Sequence, residues 1–322
     1  MSLTEPVLEV KNLKTCLPYH DRQVPVVNDV SFRVEPGETL GIFGESGCGK
    51  SLVALSVMGL VPPSGEVTGD VVVRGQNLAA HPELYNSLRG KSMSMIFQEP
   101  RAMVNPLLTV GRHFSEILGW HFKLPRAEAL TRAGELLGEV GLNRDVLGLY
   151  PHELSGGILQ RVLIALALSC EPALVIADEP ATALDMTVQA QVMACFRRLQ
   201  QKNSRAVILI THDLGVIHGN CDRVLVMYAG RVIEAGPVKE VFERPAHPYT
   251  GALLGIYRAL AAGPSAGGLH PIPGQMPEFG EVITGCPFAP RCMLKTAGCK
   301  ESCPSETIIG PGHTAACHRA GQ

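Results

Sequence analysis

Two continuous apolar runs stand out along the chain, "ALVIAD" at 173–178 and "AVILIT" at 206–211. An apolar run of this length, without polar alternation, is the pattern of a parallel strand covered on both faces. Between them Val188, Val192, Cys195 or Phe196 and Leu199 recur at three- and four-residue spacing, which predicts one buried face of a helix. Strand, helix and strand in that order predict a parallel α/β sheet. Upstream, "GETLGIF" at 37–43 predicts a short strand entering a Gly-rich turn, and "SLVALSVMGL" at 51–60 predicts the helix after it. Downstream, "RVLVMYAGRVIEAG" at 223–236 predicts two strands joined by a tight Ala-Gly turn.

The stretch from about 100 to 168 has a different period. Leu130, Leu137 and Val140 fall on one side of a helix, and "ILQRVLIALALSC" is apolar on most faces, the mark of a buried helix. It is expected to be a helical insertion in the α/β core. Beyond residue 245, "ERPAHPYTGALL" opens a Gly- and Pro-rich part, and 262–280 reads as a linker. The expected division is therefore 1–245 and 246–322, the second part carrying a cysteine cluster.

Composition narrows the class. With 322 residues, 46% of them apolar, the chain has enough apolar surface for a core and is not globally disordered. A net charge of −2 without a Lys/Arg block gives no electrostatic footprint for nucleic acid. "MSLTEPVLEVKNLK" lacks the basic start and apolar run of a signal peptide, and no stretch reaches membrane-spanning length. A cytoplasmic chain is expected, in which the ten cysteines are not a disulfide framework.

The residues suited to chemistry lie at the ends of these strands. Gly44, Glu45, Ser46, Gly47, Cys48, Gly49, Lys50 and Ser51 satisfy G-x-x-x-x-G-K-[ST] between a predicted strand and a predicted helix. Glycines let the backbone curl so that its N–H groups converge on phosphate oxygens. Lys50 would contact the β- and γ-phosphates of ATP, and the Ser51 hydroxyl would bind Mg²⁺. Asp178 and Glu179 close an apolar strand at the edge where ligands bind in parallel sheets. Asp178 suits a Mg²⁺ contact, and Glu179 suits positioning the water that attacks the γ-phosphate.

Those two motifs fit many ATPases, and "LSGGILQR" at 154–161 narrows the field. It resembles the signature of the ATP-binding cassette family. Gln98 in "IFQEP" resembles the family's Q-loop, "TALD" at 182–185 its D-loop, and His212 in "ITHD" its switch histidine. The likeness runs from residue 8 to about 245. Ile158 and Thr182 depart from the commoner Gln or Met and Ser, without removing a group that touches phosphate. The resemblance implies a P-loop cassette: a RecA-like parallel sheet core with an antiparallel β portion and a helical subdomain. It implies head-to-tail dimers in which Ser155, Gly156 and Gly157 of one cassette close on ATP held by the other's loop. Gln98 would reach Mg²⁺ and relay nucleotide state, His212 would contact the γ-phosphate, and Tyr19 would stack on adenine.

"RPAHPYTGALL", "GCPFAPRC" and "GHTAACH" resemble the oligopeptide, dipeptide and nickel branch of importer ATPases. This implies uptake of small peptides, with a second related ATPase (a heterodimer), two membrane permeases and an external binding protein, at the cytoplasmic face of the inner membrane. A nickel or metal-chelate importer shares the branch, and a soluble cassette ATPase of a carbon–phosphorus lyase complex is the reading from another class. Cys286, Cys292, Cys299 and Cys317, spaced C-x5-C-x6-C-x17-C, resemble a [4Fe–4S] site of some members. Zn²⁺ is the alternative, although the short C-x2-C knuckle is missing, and Cys303 is a fifth candidate ligand. Such a centre would staple an extension unable to build its own core. Cys48 is expected to be open to alkylation, at a cost to ATP binding.

Overall fold

Both apolar runs are strands. In a computed structural model that describes residues 5–181, 185–263 and 271–321, the chain forms two compact units. One comprises Met1–Leu8, Arg33–Thr39 and Val72–Ile210, the other Glu9–Phe32, Leu40–Val71 and Thr211–Gln322.

In the first unit the strands Met93–Ile96, Leu174–Asp178 and Ala206–Thr211 run parallel, with Met93 opposite Leu174 and Leu174 opposite Ala206. Every residue of the last two strands is buried, which is why neither alternates. The helix between them, Met186–Asn203, is capped by the Asp185 carboxylate, which accepts the Val188 N–H at 3.0 Å. Val192, Cys195 and Phe196 are buried as the spacing predicts. Val188 is half-buried, and the Leu199 side chain lies outside the described residues.

The insertion contains the helices Val110–Phe122, Arg126–Glu139 and Gly156–Leu168. The second buries Ala129, Ala133 and Leu137, with Val140 just past its end, while Leu130 is only half-buried. Leu137 and Val140 thus lie on the buried face as the spacing predicts, with Ala129 in the place expected of Leu130. Small alanines there let the neighbouring helix approach, and Leu118 packs with Ala129 and Cys170.

In the second unit Thr39–Phe43 runs parallel to Arg223–Tyr228, with Leu40 opposite Arg223. Arg223–Tyr228 turns back through Ala229 and Gly230, both at positive φ (44° and 79°), into the antiparallel strand Arg231–Pro237. The tail then extends the same sheet: His313–Ala315 pairs with Arg231–Pro237, and Thr307–Gly310 pairs with His313–Ala315. Long strands at Leu8–Tyr19 and Arg22–Val34, absent from the sequence reading, belong largely to this unit.

Described residues beyond 245 pack onto this sheet. Pro248–Ala262 is a helix, with proline at its first position and the His247 Nδ1 accepting the Tyr249 N–H at 3.1 Å. Tyr249, Leu254 and Phe288 join Phe43, Val226 and Tyr228 in one apolar cluster. The rings of Tyr228, Tyr249 and Phe288 pack edge to face at 4.9 to 5.3 Å. A buried carboxylate adds a polar knot. Glu234 Oε1 accepts from the Ala246 N–H at 2.7 Å and from His313 Nε2 at 2.8 Å, and Oε2 accepts from the His247 N–H at 3.0 Å. Among the described residues, no helix is long and apolar enough to cross a membrane.

Candidate nucleotide site

Thr39–Phe43 delivers the chain into the loop 44–49, and the helix Lys50–Val57 begins where the loop ends. Gly49 is the helix cap at φ 103°, and a Cβ there would meet the Val26 carbonyl oxygen at 2.9 Å. Both the backbone conformation and the space demand glycine. Lys50 is buried, its Nζ donating to the carbonyls of Gly44 at 2.8 Å and Glu45 at 3.0 Å. The ammonium is therefore held inside the curl of the loop, where a phosphate ligand requires a positive charge. Ser46, Gly47 and Ser51 are exposed.

Cys48 is not open to alkylation, contrary to expectation. It is 1% exposed, and burial raises its thiol pKa, with the Lys50 charge opposing but not overturning that effect. A buried neutral thiol is a poor nucleophile, so the expected alkylation target is inert.

Glu45 has partners the sequence reading missed. Its two carboxylate oxygens accept from Arg291 Nη1 at 2.9 and 3.1 Å. Its backbone N–H donates to the Tyr249 hydroxyl at 3.1 Å. Burial alone would lower the Arg291 pKa, and the hydrogen bonds to Glu45 and Tyr228 more than offset it, so the guanidinium stays charged. Arg291 stands inside "GCPFAPRC", a stretch whose sequence links it to no residue of the loop. Tyr19 packs its ring edge-on against Phe279, with centroids 5.0 Å apart.

In the first unit, Asp178 ends its strand buried at 4% exposure. Glu179 follows at φ +48°, a left-handed conformation rare outside glycine and favoured where function demands it. Its N–H donates to the Ile210 carbonyl at 2.9 Å, and its Oε2 accepts from Gln98 Nε2 at 3.2 Å. Two residues 81 positions apart, assigned separately as base and Q-loop, thus meet directly.

Ser155 caps the helix Gly156–Leu168, its Oγ accepting the Ile158 N–H at 3.4 Å. Ser155 and Gly156 are exposed at that helix start. A Cβ on Gly157 would fall 2.4 Å from Val188 Cγ1, so its glycine serves helix packing. In the second unit His212 is exposed immediately after Ala206–Thr211, and Asp213 caps the following helix through the Gly215 N–H at 2.7 Å. Residues 182–184 of the "TALD" stretch lie outside the described residues.

The metal centre expected in the cysteine tail finds no support among the described residues. Among the described residues, no three His, Cys, Asp or Glu side chains converge closely enough to hold a metal ion. Burial, then the neighbouring Cys299 and Cys303 thiols, push Cys286 up to about 11, and Cys292 is raised by burial and by Cys317 and Cys299. Cys299 Sγ already accepts from the Thr296 N–H at 3.5 Å. The cysteines are thus neighbours in the tail, and among the described residues nothing supports a [4Fe–4S] cluster or Zn²⁺ there. The aromatic cluster and the Glu234 knot tie the tail to the sheet.

The profile of the ABC transporter family matches residues 27–182, and that of the oligopeptide/dipeptide transporter C-terminal region matches 233–299. The oligopeptide transport ATP-binding protein OppD of Salmonella typhimurium is 43% identical over 317 residues, covering 97% of this chain and 93% of the relative. AppD of Bacillus subtilis, also an oligopeptide transport ATP-binding protein, is 44% identical over 97% of this chain and 96% of its own length. Among solved structures, the post-hydrolysis dimer of the ATP-binding cassette MJ0796 bound to ADP and Pi superposes with a TM-score of 0.65 at 25% identity, covering 72% of this chain and 98% of that one. CbiO1 of Clostridium perfringens, part of an ABC transporter complex, gives 0.64 at 26% identity over 80% and 98%. Loop, strand ends, capped signature helix and C-terminal region agree with near full-length likeness: this chain belongs to the ABC transporter family of ATP-binding proteins, in its oligopeptide/dipeptide branch.

Proposed function

We propose that the protein is the ATP-hydrolysing subunit of an importer for di- and oligopeptides. The observation that carries the enzymatic part is the Gln98–Glu179 contact at a strained strand end, next to the buried Asp178. The loop 44–51 binds the phosphates, with Lys50 on the β- and γ-groups. Ser51 and Asp178 offer the oxygen ligands that Mg²⁺ prefers, and the ion would offset phosphate charge. Glu179 orients the attacking water, Gln98 reports whether Glu179 is engaged, and His212 steadies the γ-phosphate. Ser155, Gly156 and Gly157 present a helix N-terminus for the nucleotide of a second cassette. Tyr19 serves the adenine ring.

Two permeases and a second, related ATPase complete the assembly, with this subunit at the cytoplasmic face of the inner membrane. Support for a permease contact comes from the insertion, where Leu107 is 81% exposed and Trp120 73% exposed. Replacing Glu179 by Gln leaves ATP binding intact and lowers turnover by roughly 10²–10⁴-fold, the usual worth of a positioned base. Near wild-type hydrolysis in that variant would remove Glu179 from its role. Mild-detergent capture of the tagged chain from its own membranes is expected to bring two multi-spanning proteins and a second cassette. Capture with soluble enzymes alone would point to the non-transport reading.

A further inference from the structure

Glu45 brings a carboxylate into a loop whose ligand is a polyanion. Left alone, that charge would work against phosphate. Arg291 meets both of its oxygens, at 2.9 and 3.1 Å, with a side chain only 7% exposed. The guanidinium is itself fixed. Nε donates to the Pro273 carbonyl at 3.0 Å, Nη1 donates to the Tyr228 hydroxyl at 3.3 Å, and its carbon lies 5.8 Å from the centroid of the Tyr228 ring. A second tie runs through Tyr249, fully buried, whose hydroxyl accepts the Glu45 N–H at 3.1 Å. Both ties come from the C-terminal region, Arg291 lying 246 positions from Glu45.

We propose that Arg291 is a positioning residue for ATP binding: it neutralises Glu45 and, with Tyr249, holds the nucleotide loop in its binding shape. The C-terminal region thereby sets the nucleotide affinity of the cassette it follows. Nη1 alone meets both Glu45 oxygens while Nε is tied to the Pro273 carbonyl, so the rigid guanidinium plane fixes where that nitrogen sits, which a flexible ammonium does not. The proposal rests on the reading that 44–51 binds ATP.

The test is titration of the full-length chain with a fluorescent ATP analogue, with thermal unfolding measured on the same samples. Arg291→Ala weakens binding about tenfold, the scale of one uncompensated charge several ångströms from the ligand in a partly screened site. Arg291→Lys, which keeps the charge and loses the tether to the Pro273 carbonyl, falls between the wild type and Arg291→Ala. Adding Glu45→Gln to Arg291→Ala recovers most of the lost affinity, because the repelling charge is gone. A role confined to stability would lower the unfolding temperature and leave the double variant as weak as the single one. That result overturns the proposal, as does wild-type affinity in a folded Arg291→Ala protein. Where Arg291→Ala does not fold, Arg291→Met keeps the stem over Tyr228 while removing the charge, and the same comparison is made with it. Lys50→Ala separates this proposal from its premise: if that variant binds like the wild type, the assignment of the loop itself is at fault.

Discussion

Cys48 lies 3.9 Å from the Lys50 ammonium, a neighbour that normally activates a thiol, yet burial outweighs the charge and its pKa is raised. Maleimide or iodoacetamide at neutral pH is expected to modify the exposed Cys303 well before Cys48, as peptide mapping over time will show. Faster labelling of Cys48 would contradict the burial argument. Gly49→Ala places a side chain at φ 103° and 2.9 Å from a carbonyl, which costs about 1–3 kcal/mol of stability and abolishes ATP binding, read by denaturant melts and nucleotide titration. The nucleotide loop was legible in sequence because each of its tasks falls within one short stretch. The Glu45–Arg291 pair was not, since a motif search has no means of joining positions that only the fold brings together.

The parallel strands were legible because full burial leaves them uniformly apolar. The long strand Leu8–Tyr19 was not, and the reason is local. It buries Leu8, Val10, Leu13 and Thr15, and Asn12, at φ 49°, shifts the alternation by one residue. Arg22–Val34 buries Val24, Val27 and Val30 at intervals of three, which imitates a helix, with Asp29 at φ 61° in the same stretch. Pro248–Ala262 lies in a stretch whose prolines and glycines hide a helix, although the proline starts it and Gly255 meets nothing within 4 Å. At this scale two substitutions are informative. Ser155→Ala removes the cap of Gly156–Leu168 and is expected to cost about 1 kcal/mol in a denaturant melt. His313→Ala takes one donor from Glu234 and leaves two, for a loss of about 1–2 kcal/mol, accompanied by faster amide exchange in His313–Ala315.

Stability of the whole chain carries the mark of one buried imidazole. Burial lowers His247 to about 4, and its neutral Nδ1 accepts the Tyr249 N–H. The unfolded chain binds this proton near its ordinary value of about 6.5, the folded chain only near 4, so the unfolded state holds more protons between them. Stability therefore falls as pH drops through that window, by at most about 3 kcal/mol from this group, and levels off below it. Denaturant melts from pH 7 to about 4 measure the slope. His247→Asn, which keeps a capping side chain and cannot titrate, is expected to flatten it.

One compact unit gathers Glu9–Phe32 with Thr211–Gln322, and its buried Glu234 takes a donor from His313. Translation delivers Glu9–Phe32 well before Thr211–Gln322. Until His313 has cleared the ribosome, Arg231–Pro237 lacks its outer neighbour and offers an open strand edge to any other nascent chain. The strands within Glu9–Phe32 wait through the synthesis of Val72–Ile210, which belongs to the other unit, for the segment that completes their own. Biogenesis of this protein is thus an interval of exposure, and a premature stop in the tail prolongs it indefinitely.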